Sequence, residues 1–220
     1  MSGDETRLPD LRVETSSFPP RHREILNEAA ALIAERGYAG ASLRELARRV
    51  GLRQPSLYHY FDSKEQLVEQ VIEAHAGDMF VQDAPIPSDF ADVPGAIVDM
   101  VDRIWSEESH RMFVRVAVAV GRIDPRFGSR LREIFEERNS VALHLLAAHY
   151  RMQGEPFTED EMIHIMRMTT SAVAFRRMEF QVFYDAKPID ATYRRYADDV
   201  AHRMREYIEM RRATAKSREG

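Results

Sequence analysis

Gln54, Ser56, Tyr58 and His59 put an amide, a hydroxyl, a phenol and an imidazole within six residues. All four make hydrogen bonds, and none is a strong nucleophile without a partnering base. Cations surround them. From Arg36 to Lys64 six basic residues (Arg36, Arg44, Arg48, Arg49, Arg53, Lys64) stand against two acidic ones (Glu45, Asp62), a local excess of +4 in a chain whose net charge is −5. The acidic excess therefore lies elsewhere, and the local field attracts phosphates. This is the chemistry of gripping a polynucleotide, not of breaking a bond.

Such side chains must be presented on something rigid and exposed, and the spacing around them predicts it. Ser42 is a good N-cap, with Glu45 three residues on to close a capping box. Leu43, Leu46, Ala47 and Val50 repeat at helical spacing. Gly51 follows directly and reads as the left-handed residue that stops a helix. Leu52 points inward, and Pro55 sits where a first-turn residue needs no N–H. Residues 54–61 then make about two turns. Leu57 and Phe61 share the inward face, which leaves Tyr58 and His59 outward. Ser63 with Gln66 forms a second capping box that opens another helix. The whole is a helix-turn-helix. A plain helical hairpin is the alternative. The tight turn, the shortness of the second helix and its polar outer side chains weigh against it.

From about Pro20 to Ile72 these features resemble the DNA-binding domain of TetR-family transcriptional regulators. The segment ILNEAAALIAERGYAGASLRELARRVGL, then Leu57-Tyr58, Tyr60-Phe61 and Ser63-Lys64-Glu65 carry the likeness. It covers roughly a quarter of the chain, and the later region is similar only in being helical and of suitable length. The resemblance implies that Ser42 and Arg44 open the supporting helix near DNA, Arg44 as a base or phosphate contact. It implies that Gln54, Pro55 and Ser56 lie nearest the base edges, Gln54 suited to adenine and Pro55 to a thymine methyl, with Arg53 beside them among the DNA-binding residues. Tyr58, Tyr60 and Lys64 are similar to family phosphate contacts, Lys64 helped by the helix N-terminus after Ser63. His59 stays open between base and phosphate.

The remaining chain predicts an all-α protein of about nine helices. The expected parts are a disordered arm (1–19), the helix-turn-helix domain (20–74) and a helical regulatory and dimerisation domain (75–220). Asp83 to Ser88 reads as a loop, because Pro85 and Pro87 cannot both sit inside a helix. FVRVAVAV alternates like a strand but has no partner strand, so it is read as helix, about His110 to Arg122. Others are expected from about Val93 to Trp105, from Pro125 to Met152, from Thr158 (capping box with Glu161) to Tyr184, and from Asp190 to Arg212. The last two carry apolar faces: Ile165, Met168, Ala172 and Phe175 on one, Tyr193, Tyr196, Val200 and Met204 on the other. These faces either close the protomer or, as the resemblance implies, pair with a second copy. A two-fold pair also follows from specificity, since one short helix reads few base pairs.

Trp105, Met112, Phe113, Met166, Phe175, Phe180 and Phe183 are a set that could line a cavity but by itself is more often core. It is the resemblance that implies a small-molecule pocket there. His144 is a polar candidate for it, although a lone histidine among apolar residues is more often a satisfied core histidine. Arg176 and Arg177 are further candidates for an acidic ligand group, with inter-subunit ion pairs or solvent the more common reading. Glu161 and His164 have di-iron spacing, but such a site needs a second copy, and the sequence has none. There is no cysteine, which excludes disulfides and thiolate chemistry. No HExxH, P-loop or G-x-S-x-G motif is present. No metal or cofactor is implied. No apolar run is long enough for a membrane span, and the first twenty residues lack a signal-peptide core. The expectation is a cytoplasmic, non-enzymatic homodimer whose partners are an operator duplex and an unknown small effector. Its alternative is the same DNA binder controlled by a protein partner or by concentration.

Overall fold

The structure, a computed structural model, describes residues 18–80, 86–121, 123–180 and 191–219. Every regular element among them is helical: α1 (Pro20–Gly40), α2 (Leu43–Arg49), α3 (Gln54–Leu57), α4 (Lys64–Phe80), α5 (Val93–Ser106), α6 (Glu108–Val120), α7 (Pro125–Met152), α8 (Glu159–Met178) and α9 (Ala191–Glu219), with a 3-10 turn at Phe90–Asp92. This is the all-α architecture expected from the periodicity. All but the last two residues of the expected arm 1–19 lie outside the described residues. So do Asp83 to Pro85 of the expected loop, the continuation of α8 to Tyr184, and the break at Pro188. The last helix runs to Glu219, beyond the expected Arg212. No glycine or proline interrupts Ala213 to Glu219, and their propensities carry it on.

The helices fall into two compact units: one from residues within 12–81 and 107–138, the other from 82–106 and 139–220. Within the first unit α6 packs on α1 and α4. In this first unit α1 buries Ile25, Leu26, Ala29, Ala30, Leu32 and Ile33. Their spacing is one face of a helix. Leu67, Val68, Val71 and Ile72 of α4 and Phe113, Val116 and Val120 of α6 are all buried, while Val118 is exposed. The alternating FVRVAVAV segment thus obeys the helical period. Gly37 (φ 69°) breaks α1 before its end and turns the chain toward Tyr38.

In the second unit α5, α8 and α9 pack on one another. Asp89 caps the 3-10 turn, its Oδ1 accepting from Ala91 N at 2.8 Å. Arg212 of α9 holds both Asp89 and Glu155, and Arg211 holds Glu161 at 2.6 Å. Tyr150 donates its hydroxyl to Pro87 O at 2.6 Å, and its ring packs at a tilt against Phe90 with centroids 5.2 Å apart. Asp102 is buried and takes Arg194 at 2.8 Å, with the Arg177 guanidinium 4.0 Å from its other oxygen. Thr158 and Glu161 form a complete capping box at the start of α8.

Candidate nucleic-acid interface

The turn between α2 and α3 is built as the residues dictate. Gly51 N donates to Arg48 O (3.3 Å) and Leu52 N to Ala47 O (2.8 Å), with Gly51 at φ 68°. This is the Schellman pair of bonds, which satisfies two end carbonyls and reverses the chain within two residues. At the other end Ser42 Oγ accepts from Glu45 N at 3.2 Å. Only that half of the expected capping box forms. The Glu45 carboxylate turns instead to Arg48 (2.7 Å) and Arg49 (3.3 Å), and Arg49 also grips Glu35 of α1 at 2.6 Å. These arginines hold the Glu45 carboxyl down at about 2 despite partial desolvation. Arg49 is therefore a tie between α1 and α2 rather than a solvated side chain.

The second helix of the motif is shorter than expected. Only Gln54–Leu57 is α-helical. Tight i→i+3 bonds, Tyr58 N to Pro55 O (3.3 Å) and Tyr60 N to Leu57 O (2.9 Å), carry the chain on to Phe61. Four consecutive aromatic rings are poor helix formers. The Ser63 cap of α4 also needs an extended approach. Gln66 N donates to Ser63 Oγ at 3.1 Å, but the Gln66 side chain reaches back to Asp62 N, one residue earlier than a capping box requires.

Exposure sorts the expected contact residues. Leu57 and Phe61 are buried; Ser42, Arg44, Arg53, Gln54, Pro55, Tyr58 and His59 are exposed, and Ser56 and Tyr60 are half-buried. The motif's leading end thus faces solvent while its two apolar anchors hold it down. Lys64 is less open. Its Nζ donates to Tyr38 O and lies 4.4 Å from the Tyr38 ring centre, and burial lowers its pKa. Tyr38 in turn donates its hydroxyl to Glu65 at 2.9 Å and meets the Phe127 ring edge-on at 5.9 Å. Burial, then Glu65, push the Tyr38 phenol up to about 12. Behind Tyr60, Gln70 donates to the Tyr60 carbonyl at 3.3 Å and pairs with His22 Nε2 at 2.7 Å, and the His22 ring packs edge-on against Tyr60 at 5.3 Å. Tyr38, His22 and Gln70 were not singled out in the sequence. Their partners lie 26 to 48 residues away or on another helix, so no local pattern announces them.

Met112 and Phe113 belong to the first unit; Trp105, His144, Met166, Phe175, Arg176 and Phe180 belong to the second. Trp105, Phe113, Met166 and Phe180 are buried as core. His144 is exposed, its Nδ1 2.7 Å from Ser140 O on its own helix. Phe175 is 63% exposed. It lines, with Ser171, Ala172, Arg176, Glu179 and Tyr196, an open groove of about 690 Å³ on α8 and α9. His144 and Phe175 thus face outward from their helices, while the aromatic residues near them in sequence face inward. Phe183 lies outside the described residues. The apolar faces of α8 and α9 divide likewise. Ile165 and Tyr193 are buried in the protomer, while Met168, Phe175, Tyr196, Tyr207 and Met210 stay exposed. Glu161 is held by Thr158 and Arg211, and His164 is exposed. Among the described residues no three His, Cys, Asp or Glu side chains cluster to hold a metal, and no helix is long and apolar enough to cross a membrane.

Residues 25–71 match the model of the family described as bacterial regulatory proteins, tetR family. The repressor KstR2 of Rhodococcus jostii (strain RHA1) is 40% identical over 67 residues, 30% of this chain and 33% of that protein. The biofilm-operon negative regulator IcaR of Staphylococcus aureus (strain Newman) is 38% identical over 50 residues, 23% of this chain and 27% of that one. The matched segments span 33% or less of these relatives' lengths. Solved structures align far more widely. GusR of Salmonella enterica gives a TM-score of 0.66 at 16% identity over 89% of this chain and 100% of that one. The fatty acid degradation regulator FadR of Bacillus halodurans gives 0.65 at 17% over 86% and 96%. A TetR-family regulator structure from Mesorhizobium loti gives 0.64 at 20% over 84% and 94%. At those identities the structural likeness is a likeness of fold.

Proposed function

We propose that the chain is a homodimeric repressor of the TetR family, whose model its residues 25–71 match and whose solved members share its fold, and that it leaves a palindromic operator when a small ligand binds. The carrying observation is the solvent-facing polar end of the motif. Arg53, Gln54, Pro55 and Tyr58 are exposed, with Arg44 exposed on α2 and the buried Leu57 and Phe61 fixing the segment from behind. In this reading Gln54, Pro55 and Ser56 meet base edges, while Ser42, Arg44, Arg53, Tyr58, Tyr60 and Lys64 hold the backbone, and His59 reaches either. The exposed face of α8 and α9 supports pairing with a second copy. The named repressors among its relatives support the sign of regulation.

Selection from random duplexes tests the proposal. The expected product is an inverted repeat whose half-sites stand about one helical turn apart or a multiple of it. Enrichment of single half-sites, or of no sequence, would count against a two-fold reader.

One observation favours the alternative without a small effector. Of the expected pocket set, four residues are packed as core and two are exposed on helix surfaces. A ligand acts only by favouring the non-binding conformer, and such a ligand also raises the melting temperature if it prefers the fold. Mass analysis of small molecules released from the denatured protein, followed by melting with each, separates the two readings.

A further inference from the structure

Arg21 lies in the first turn of α1, outside the helix-turn-helix, yet its guanidinium is fixed to that motif. Its Nη2 donates to the carbonyl of Val50, the C-cap residue between α2 and the Gly51 turn, 29 residues away. Its Nη1 donates to Glu24 at 2.6 Å. The Tyr60 hydroxyl lies within electrostatic reach of the same group. The side chain is 42% exposed and Glu24 58% exposed.

We propose that Arg21 is a DNA-backbone contact: its guanidinium, braced on Val50 beside Tyr60, receives a phosphate, and Glu24 is the internal anion which that phosphate displaces. The proposal rests on the DNA-binding reading above and names a contact which that reading did not contain. A guanidinium carries five N–H donors in a planar fork. Val50 and Glu24 engage two, with the Tyr60 hydroxyl also beside the fork, and the rest can meet a phosphate, whose oxygens match the fork. The Val50 bond holds the group in place before DNA arrives, so less side-chain freedom is lost on binding. The Glu24 pair is solvent-exposed and short-range in sequence, the kind of ion pair that contributes little and yields easily to a competing anion. Tyr60, already tied down by Gln70 and His22, supplies a hydroxyl next to the same spot. The positive surface of the reading head then extends from α2 and α3 back onto the start of α1.

The test uses the full chain and a random-sequence duplex, with affinity measured between about 50 and 200 mM salt, where each phosphate contact adds about 0.9 to the slope of log K against log salt. Arg21→Gln keeps a donor for Val50 but loses the charge. The expected result is a slope shallower by about 0.9 per reading head, with affinity about tenfold weaker at low salt and a melting temperature near the parent's. Glu24→Gln removes the competing anion, and the expected result is tighter binding by about twofold to fivefold at low salt. Lys64→Ala serves as the comparison. If Lys64→Ala flattens the slope while Arg21→Gln leaves it unchanged, Arg21 is only a helix anchor and the proposal is overturned. If Arg21→Gln folds poorly, Glu24→Gln decides alone, and unchanged or weaker binding overturns it. If no variant, Lys64→Ala included, moves the slope, the DNA-binding reading itself falls and takes this contact with it.

Discussion

Gln54 and Tyr58 stand four residues apart on the same exposed end of the motif, and their chemistry assigns them different work. An amide has a donor and an acceptor side by side and discriminates among base edges. A phenol donates one bond and does not distinguish one phosphate from the next. Gln54→Ala is therefore expected to lower affinity for the selected duplex by about 1–3 kcal/mol while leaving a scrambled duplex nearly unaffected. Competition between the two duplexes measures the ratio, and an unchanged ratio would remove Gln54 from the base-reading set. Tyr58→Phe and Lys64→Ala are expected to weaken both duplexes in proportion. Lys64 has a structural complication that Tyr58 lacks. Its ammonium is already bonded to the Tyr38 carbonyl and lies over the Tyr38 ring, so the aromatic residue that follows Gly37 helps fix the position of that cation.

Among the elements, α2 depends most on its ends. It has seven residues, too few to be stable alone, and it is held by the Ser42 cap, the Gly51 turn and the Glu35–Arg49–Glu45 bridge. Gly51→Ala meets no atom within 4 Å of the added methyl, so its cost is conformational. Thermal or denaturant unfolding is expected to show a loss of about 1 kcal/mol, with DNA binding weakened further if the reading segment tilts. The bridge supplies a pH dependence. Glu45 has its carboxyl lowered from 4.5 to about 2 by Arg48 and Arg49. A carboxyl depressed on folding stabilises the fold above its unfolded value, and that contribution fades as pH falls through the folded one. Glu45→Gln is thus expected to melt below the parent at neutral pH, with the gap narrowing as pH drops from 4.5 toward 2. A gap that persists unchanged at the acid end would show that the bridge is not its source.

For the molecule as a whole, the face carrying Met168, Phe175, Tyr196, Tyr207 and Met210 is the largest commitment. Apolar side chains spaced along two helices and left outward mark an interaction surface. Phe175→Glu places a charge there without touching the protomer core, because Phe175 is 63% exposed. Sedimentation is expected to show a solitary subunit, and binding to the selected inverted repeat is expected to fall about a hundredfold, as the two linked half-sites become independent. A variant that still sediments as the parent does would move the dimer interface elsewhere.

The residues alone determined the helical fold, the position of the turn and which end of the reading segment faces out, because those depend on local periodicity, caps and one left-handed glycine. They also carried the capping box at Thr158 and the helical reading of FVRVAVAV, since burying Phe113, Val116 and Val120 on one side requires a helical period. Tertiary structure decided what local spacing does not encode. It shortened the second helix to Gln54–Leu57, turned Glu45 away from its cap toward two arginines, and sent His144 and Phe175 outward while Trp105, Met166 and Phe180 went in. It also brought Arg21 to Val50, Lys64 to Tyr38 and His22 to Gln70. Each of those pairings joins segments far apart in the chain, and the angle at which two helices meet, set by packing over their whole length, is what brings them within a hydrogen bond.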